Sequence, residues 1–351
     1  MFWGSKFSYE SAKLRARLAQ RLSKEKIATL LKCKNLEEAV QHLRGTYYEV
    51  FYESYTKTGY LGLAELAIKK REIDTLLGLR SGFWGAERNL MGAFLYTYEI
   101  ENLKDVLAIW FNGMILGRTP LKQEVFLRQT ILHAIPYERL MNATDFHSVL
   151  DTLKETPYAS VLEPYADLCR SNKTLFYFFA ALDIYQYSHL KLAVNNLDAR
   201  DRLLASRFFG TEIDFENMLA QLRYKDAGME RQEALRYFIP GGSHLHTDNI
   251  SDVIQNMQSV RAHIKKTYSQ VDIKIPQDIH LLREVELYRN AVMGHLAQMM
   301  RMADPLSIAP VIAYFYWIRE EEHLVISLLE GASFGMDEKA MEEALCLSQP
   351  Q

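Results

Sequence analysis

The chain is poor in residues that break helices or staple small domains. Nine prolines and 17 glycines are spread over 351 residues, most of them between apolar-periodic stretches. So few breakers exclude a Pro-rich or low-complexity chain and favour long regular elements. The three cysteines, Cys33, Cys169 and Cys346, lie far apart and fit neither a disulfide framework nor a metal-ligand spacing. That pattern points to a reducing compartment. The longest uncharged apolar runs, Leu175–Leu182 and Ile308–Ile318, stop well short of the roughly 20 residues a spanning helix needs. Charge of one sign is also missing: 41 Lys and Arg against 44 Asp and Glu leave a net charge of −3, which argues against a nucleic-acid partner. The opening MFWGSKFSYESAK has no apolar core of a signal peptide, so the chain is expected to be cytoplasmic, or peripheral on a membrane's cytoplasmic face.

Catalytic signatures are absent as well. The phosphate-cradling GxxxxGK(S/T) pattern does not occur, so no nucleotide is expected to bind through such a loop. Neither HExxH, CxxC nor GxSxG occurs. His244 and His246 sit in a Gly-Ser turn with no evident third ligand and read as a solvated loop. No catalytic, cofactor-binding or metal-ligating residue is expected.

What is present is a helical signature that occurs three times, in LYTYEIENLKDVLAIWFNGMILG (95–117), GTEIDFENMLAQLRYKDAGM (210–229) and YWIREEEHLVISLLEGASFGM (316–336). In each an acid precedes an Asn or His by three residues: Glu99/Asn102, Asp214/Asn217, Glu320/His323. A Leu or Met follows directly, another Leu comes four later, and a Gly-Met closes the unit. The Asn/His positions are 115 and 106 residues apart (217 − 102, 323 − 217), near a third of the chain. A second register repeats too: KNLEEAVQHLRGTYYEV (34–50) returns as TDFHSVLDTLKETPYASV (144–161), with a weaker third copy, DNISDVIQNM, at 248–257. Two ordered motifs at similar offsets imply triplication of a helical subdomain.

Apolar spacing of three and four predicts helices over 8–32, 36–55, 61–79, 86–111, 121–135, 145–154, 159–170 and 173–190. It continues over 199–224, 230–238, 248–268, 279–302 and 307–330. Strand-type alternation is scarce, the best case being the short 266–276. The chain is therefore read as all-α, in three helical subdomains of residues 1–117, 118–235 and 236–351. Gly117 to Pro120 closes the first unit, and the helix stop Ile239-Pro-Gly-Gly-Ser243 marks the end of the second.

Seven basic residues lie between 6 and 26, and eight acids between 319 and 343. These are either two solvated helix faces, or ends that pair with each other or with partner subunits. The Glu320/His323 spacing also occurs in carboxylate-bridged metal bundles, but Asn at the equivalent positions is a poor ligand. Buried carboxylates and amides must be hydrogen-bonded, so Glu99, Asn102, Asp214, Asn217, Glu320 and His323 are read as structural ties to a neighbouring helix end.

The block LRYKDAGMERQEALRYFIPGG (222–242) resembles the most diagnostic stretch of the C/d subunit of V-type and A-type rotary ATPases. Asp214, Asn217, Arg223, Lys225, Gly228, Pro240, Gly241 and Gly242 fall on that pattern. The terminal DPLSIAPVIAYFYWIREEEHLVISLLEGASFGM and the opening YESAKLRARLAQRLSKEKIATLLKCKNLEEAVQHLRGTYY are also similar to the family, with His323 and Met218 standing where Asn and Leu are usual. The resemblance implies three subdomains arranged as a pseudo-threefold funnel. It also implies a non-catalytic rotor role: seated on the membrane proteolipid ring, receiving the tip of the central shaft subunits (D/F type), without a cofactor. The basic helix at 8–26 and the residues Arg223 and Lys225 are candidates either for an interface or for contacts within the chain. The rivals are a helical-repeat scaffold unrelated to rotary motors and a metalloenzyme centred on Glu320 and His323, which elemental analysis of the purified protein tests.

Overall fold

The computed structural model describes residues 4–117, 130–273 and 279–345. Among them there is no strand, only one isolated bridge between Thr130 and Ala134, so the chain is all-helical. The first stretch comprises α1 (Gly4–Leu18), α2 (Lys24–Leu31), α3 (Leu36–Gln41), α4 (Glu49–Thr58), α5 (Leu61–Gly82) and α6 (Gly85–Trp110). The second comprises α7 (Tyr137–Met141), α8 (Phe146–Leu153), α9 (Tyr158–Leu162), α10 (Ala166–Asn172), α11 (Phe176–Asn195) and α12 (Ala199–Asp226). The second stretch continues with α13 (Arg231–Leu235), α14 (Ile250–Val253) and α15 (Met257–Thr267), and the third comprises α16 (Leu281–Met302), α17 (Ala309–Ser333) and α18 (Glu338–Leu345). No helix among the described residues is long and apolar enough to cross a membrane.

Several predicted helices are interrupted: 248–268 breaks between Val253 and Met257, 159–170 passes through a 3-10 turn at Glu163–Tyr165, and two further breaks have a clear local reason. The 8–32 helix stops at Leu18 and restarts at Lys24, where the Ser23 side chain accepts from the Lys26 N–H at 3.3 Å. The 36–55 helix is interrupted at 42–48, where Gly45 adopts φ +71° and the chain turns Tyr47 and Tyr48 inward. Amphipathic spacing continues through both breaks, so periodicity alone joins the pieces. The expected 121–135 helix is non-helical over 130–135, and its remainder lies outside the described residues. The strand-like 266–276 forms no strand over 266–273, and 274–276 lie outside the described residues.

The capped motif of the second register recurs three times. Asn35, Asp145 and Asn256 each cap a helix by accepting the N–H three residues on, at 2.9, 2.8 and 3.0 Å. Eight residues after each cap a buried aliphatic follows: Leu43, Leu153, Ile264. Thr46/Tyr48, Thr156/Tyr158 and Thr267/Tyr268 then end the motif, so the third counterpart starts at Asn256, seven residues beyond the Asn249 of the weak third copy. The third ending survives with one residue deleted.

Three long hairpins, α5/α6, α11/α12 and α16/α17, dominate the packing. Helix α6 also packs on α11, α12 on α16, and α17 on α1, α3 and α12. Partly buried ion pairs cross the seams of this cycle: Lys104 to Asp183 between α6 and α11, Arg289 to Glu216 at 3.2 Å between α16 and α12, and Arg319 to Glu101 at 2.9 Å between α17 and α6. Inside it the aromatic rings meet. Phe94 of α6 stacks on Phe315 of α17 with centroids 4.1 Å apart and lies 5.7 Å from Phe209 of α12. Phe94→Ala therefore removes a ring shared by three long helices. It should cost about 3–5 kcal/mol in urea unfolding; a loss below about 1 kcal/mol would mean that this contact does not hold the helices together.

Candidate functional site

The acids of the repeated signature sit in the middle of α6 and α12, and each holds the backbone of a loop about thirty residues downstream. Glu99 is fully buried and accepts from the N–H groups of Leu132 and His133 at 2.6 and 2.8 Å. The His133 ring and the Tyr158 hydroxyl complete its shell at 2.7 and 2.6 Å. Asp214, also fully buried, accepts from the N–H groups of His244 and Leu245 at 2.9 and 3.0 Å. His244 meets Tyr268 edge-on at 5.9 Å, as His133 meets Tyr158 at 5.7 Å, and the Tyr268 phenol lies beside Asp214. Burial pushes the Asp214 carboxyl up to about 6, against the opposing pull of the loop N–H groups. The loop can approach only because Gly242 has no Cβ: one built there would stand 2.1 Å from Asp214 Oδ1.

The amides work beside the acids. Asn217 Nδ2 donates to the Ile239 carbonyl and its Oδ1 accepts from the Ile239 N–H, both at 2.8 Å and both buried. The Asn102 side chain hydrogen-bonds the Tyr137 phenol. His244 and His246 belong to this loop rather than to a free turn, since the His244 N–H is the one Asp214 holds.

In the third copy the structure gives the place to Glu321, one residue beyond Glu320. Counting from Glu99, Asp214 and Glu321, the positions +1, +4, +7 and +8 are buried in all three helices: Ile100/Leu103/Val106/Leu107, Phe215/Met218/Gln221/Leu222 and Glu322/Val325/Leu328/Leu329. Glu321 accepts from the Leu22 N–H at 3.2 Å and from Arg21 Nε at 2.8 Å, with the Tyr48 phenol beside it. A related shell, of one loop N–H, one loop guanidinium and a tyrosine, is thus assembled from the opposite end of the chain. The basic N-terminal and acidic C-terminal segments do pair with each other here, and Arg21 also lies over the Trp317 ring at 4.5 Å.

Glu320 and His323 instead line a polar cleft of about 570 Å³ between α12, α16 and α17. A second cleft, of about 330 Å³, adjoins it; the two share Glu216, Arg223 and Arg289. Its wall is built from the face of the long helices two residues away from each buried acid: Glu101 on α6, Glu212 and Glu216 on α12, Arg319 on α17. Arg223 stands at the mouth of both, its side chain 56% exposed and 3.4 Å from Glu286. Lys225 is turned away and donates to the Ile254 and Gln255 carbonyls at 3.3 and 3.0 Å, closing the end of α14. The Gly-Met endings are helix caps in two copies: Gly228 and Gly335 have φ +75° and +68°, and the N–H groups of Met229 and Met336 reach back five residues to Tyr224 and Gly331. In the first copy Gly113 lies within a π-helical turn (Phe111–Ile115), and Gly117, at φ +65°, takes the cap.

Comparison with known proteins matches residues 11–344 to the family described as ATP synthase (C/AC39) subunit. The C-type subunit of the A-type ATP synthase of Methanococcoides burtonii is 24% identical over 98% of this chain and 95% of its own length. That of Methanosarcina acetivorans is 27% identical over 70% of this chain and 67% of its own. That of Thermococcus gammatolerans is 22% identical over 97% and 89%.

Asn217→Ala leaves both polar groups of Ile239 buried without a partner. Each such group costs about 1–3 kcal/mol, so the urea midpoint should fall clearly; an unchanged midpoint would refute the tie.

Proposed function

Because this chain belongs to the ATP synthase (C/AC39) subunit family, we propose that it is the non-catalytic central-stalk coupling of a rotary ATPase. It passes torque between the shaft of the ATP-hydrolysing head and the membrane proteolipid ring, and so serves proton or sodium transport. It sits on the cytoplasmic face of the membrane as a peripheral subunit, with the D/F-type shaft subunits and the ring as its partners. The observation that carries this reading is the cycle of long hairpins around a charged cleft. A coupling must resist deformation, and close-packed helices do. It also needs a surface that recognises one partner in one register, which charged side chains at a cleft mouth supply.

The subdomains 1–117, 118–235 and 236–351, arranged as a pseudo-threefold funnel, give the buried acids a purpose in this reading. Glu99 of the first holds the loop of the second, Asp214 of the second holds the loop of the third, and Glu321 of the third holds the loop of the first. Torque entering one subdomain then reaches the next through buried hydrogen bonds as well as through the covalent chain. The cleft lined by Glu101, Glu216, Arg223 and Arg289 is the surface offered to the shaft.

The test is co-purification from native membranes with the shaft subunits and the ring; a chain recovered alone would overturn the reading. Arg223→Glu should leave folding intact but slow association with the shaft subunits and change its salt dependence, measured by surface plasmon resonance. Unaltered kinetics would exclude this cleft mouth as the docking surface.

A further inference from the structure

The third copy departs from the other two at one buried position. The residue after the acid is Ile100 in α6 and Phe215 in α12, both fully buried, but Glu322 in α17, at 3% exposure. One oxygen of Glu322, Oε1, has no hydrogen-bond partner among the described residues. A second buried carboxyl belongs to the same neighbourhood. Glu72 of α5 is 1% exposed; its Oε2 accepts from the Tyr47 and Tyr314 hydroxyls at 3.0 and 3.3 Å, and its Oε1 has no partner among the described residues. These residues lie where α17 closes on α1, α5, α6 and the turn carrying Tyr47 and Tyr48.

We propose that Glu72 and Glu322 form a proton-binding site at this closure, holding at least one proton while the chain ends are joined, and that losing it loosens the closure. Two carboxyls buried in one neighbourhood resist ionising together, since each charge is poorly solvated and repels the other. A protonated carboxyl also gains an O–H that can serve an otherwise unmatched oxygen. Charges of both signs surround the pair. Glu322 faces Lys69 of α5 and Arg319 of α17, but also Glu72 and Glu101 of α6. Glu72 faces Arg17 of α1 and Arg71 of α5. The Tyr98 phenol feels both acids, and Tyr48 feels Glu321 and Glu322. Burial is the largest influence on each carboxyl, pushing Glu72 up to about 7 and Glu322 up to about 8.

The location gives the site its consequence. The first two acids bind loops about thirty residues downstream, joined to them by a short piece of chain. Glu321, next to Glu322, joins segments 299 and 300 residues apart in sequence. An ionised Glu322 would therefore act on the closure that has least covalent support.

A carboxyl whose pKa is raised by folding contributes stability that is fully present below its unfolded value, near 4.5, and lost as pH rises through the folded value. The thermal midpoint of the full chain should fall by several degrees between pH 6 and pH 9. Hydrogen exchange over 14–23 and 309–333, corrected for intrinsic rates, should rise over the same interval. Glu322→Ile, which installs the residue of the first copy, and Glu322→Gln, which keeps the shape, should each flatten both dependences. A merely structural Glu322 would shift the midpoint equally at every pH, and an unaltered slope in the Gln variant would overturn the proposal. This inference stands apart from the rotor reading, since the isolated chain tests it without shaft or ring.

Discussion

One interaction organises the structure: a carboxylate buried in the middle of a long helix, accepting two donors from a neighbouring loop. Loops carry unpaired backbone N–H groups, and burying them unpaired is costly. A carboxylate loses its hydration on burial and needs several donors to be stable there. Each defect satisfies the other, so loop and helix can be buried only together. The arrangement at Glu99, Asp214 and Glu321 repeats this solution with the same supporting tyrosine: Tyr158, Tyr268 and Tyr48.

The other features follow from it. Because the acid points to one side of its helix, the residues two positions away point to the other and form the wall of the charged cleft. The breaks in helix at 19–23 and 130–135 are what free the N–H groups of Leu22, Leu132 and His133 for the carboxylates. Covalent order closes the first two ties and leaves the third to join the two ends of the chain.

Much of this is legible in the sequence. The all-helical class follows from spacing and from the shortage of breakers, and the family follows from the block around Pro240. Asp214 and Asn217 stand out because acid, amide and apolar stripe share one helical face. The third copy reads one residue out of register, since Glu320, Glu321 and Glu322 are consecutive and His323 draws the alignment toward the Asn positions. The burial stripe decides it: Leu328 and Leu329 stand seven and eight residues after Glu321, as Val106 and Leu107 do after Glu99. Pairing of the chain ends is one of two open readings in the sequence, because a run of charge looks the same whether it meets solvent or its complement. The tyrosines escape sequence reasoning because their partners are 59 residues away (Tyr158, Glu99), 54 away (268 − 214, Tyr268 and Asp214) or at the far end of the chain.

Residue-resolved amide exchange on the full chain tests the central claim most directly. If buried carboxylates hold these loops, the N–H groups of Leu22, Leu132, His133, His244 and Leu245 should exchange as slowly as those of the flanking helices, and Glu321→Ala should release Leu22 alone among them. Exchange of all five at the rate of an open loop would contradict the account.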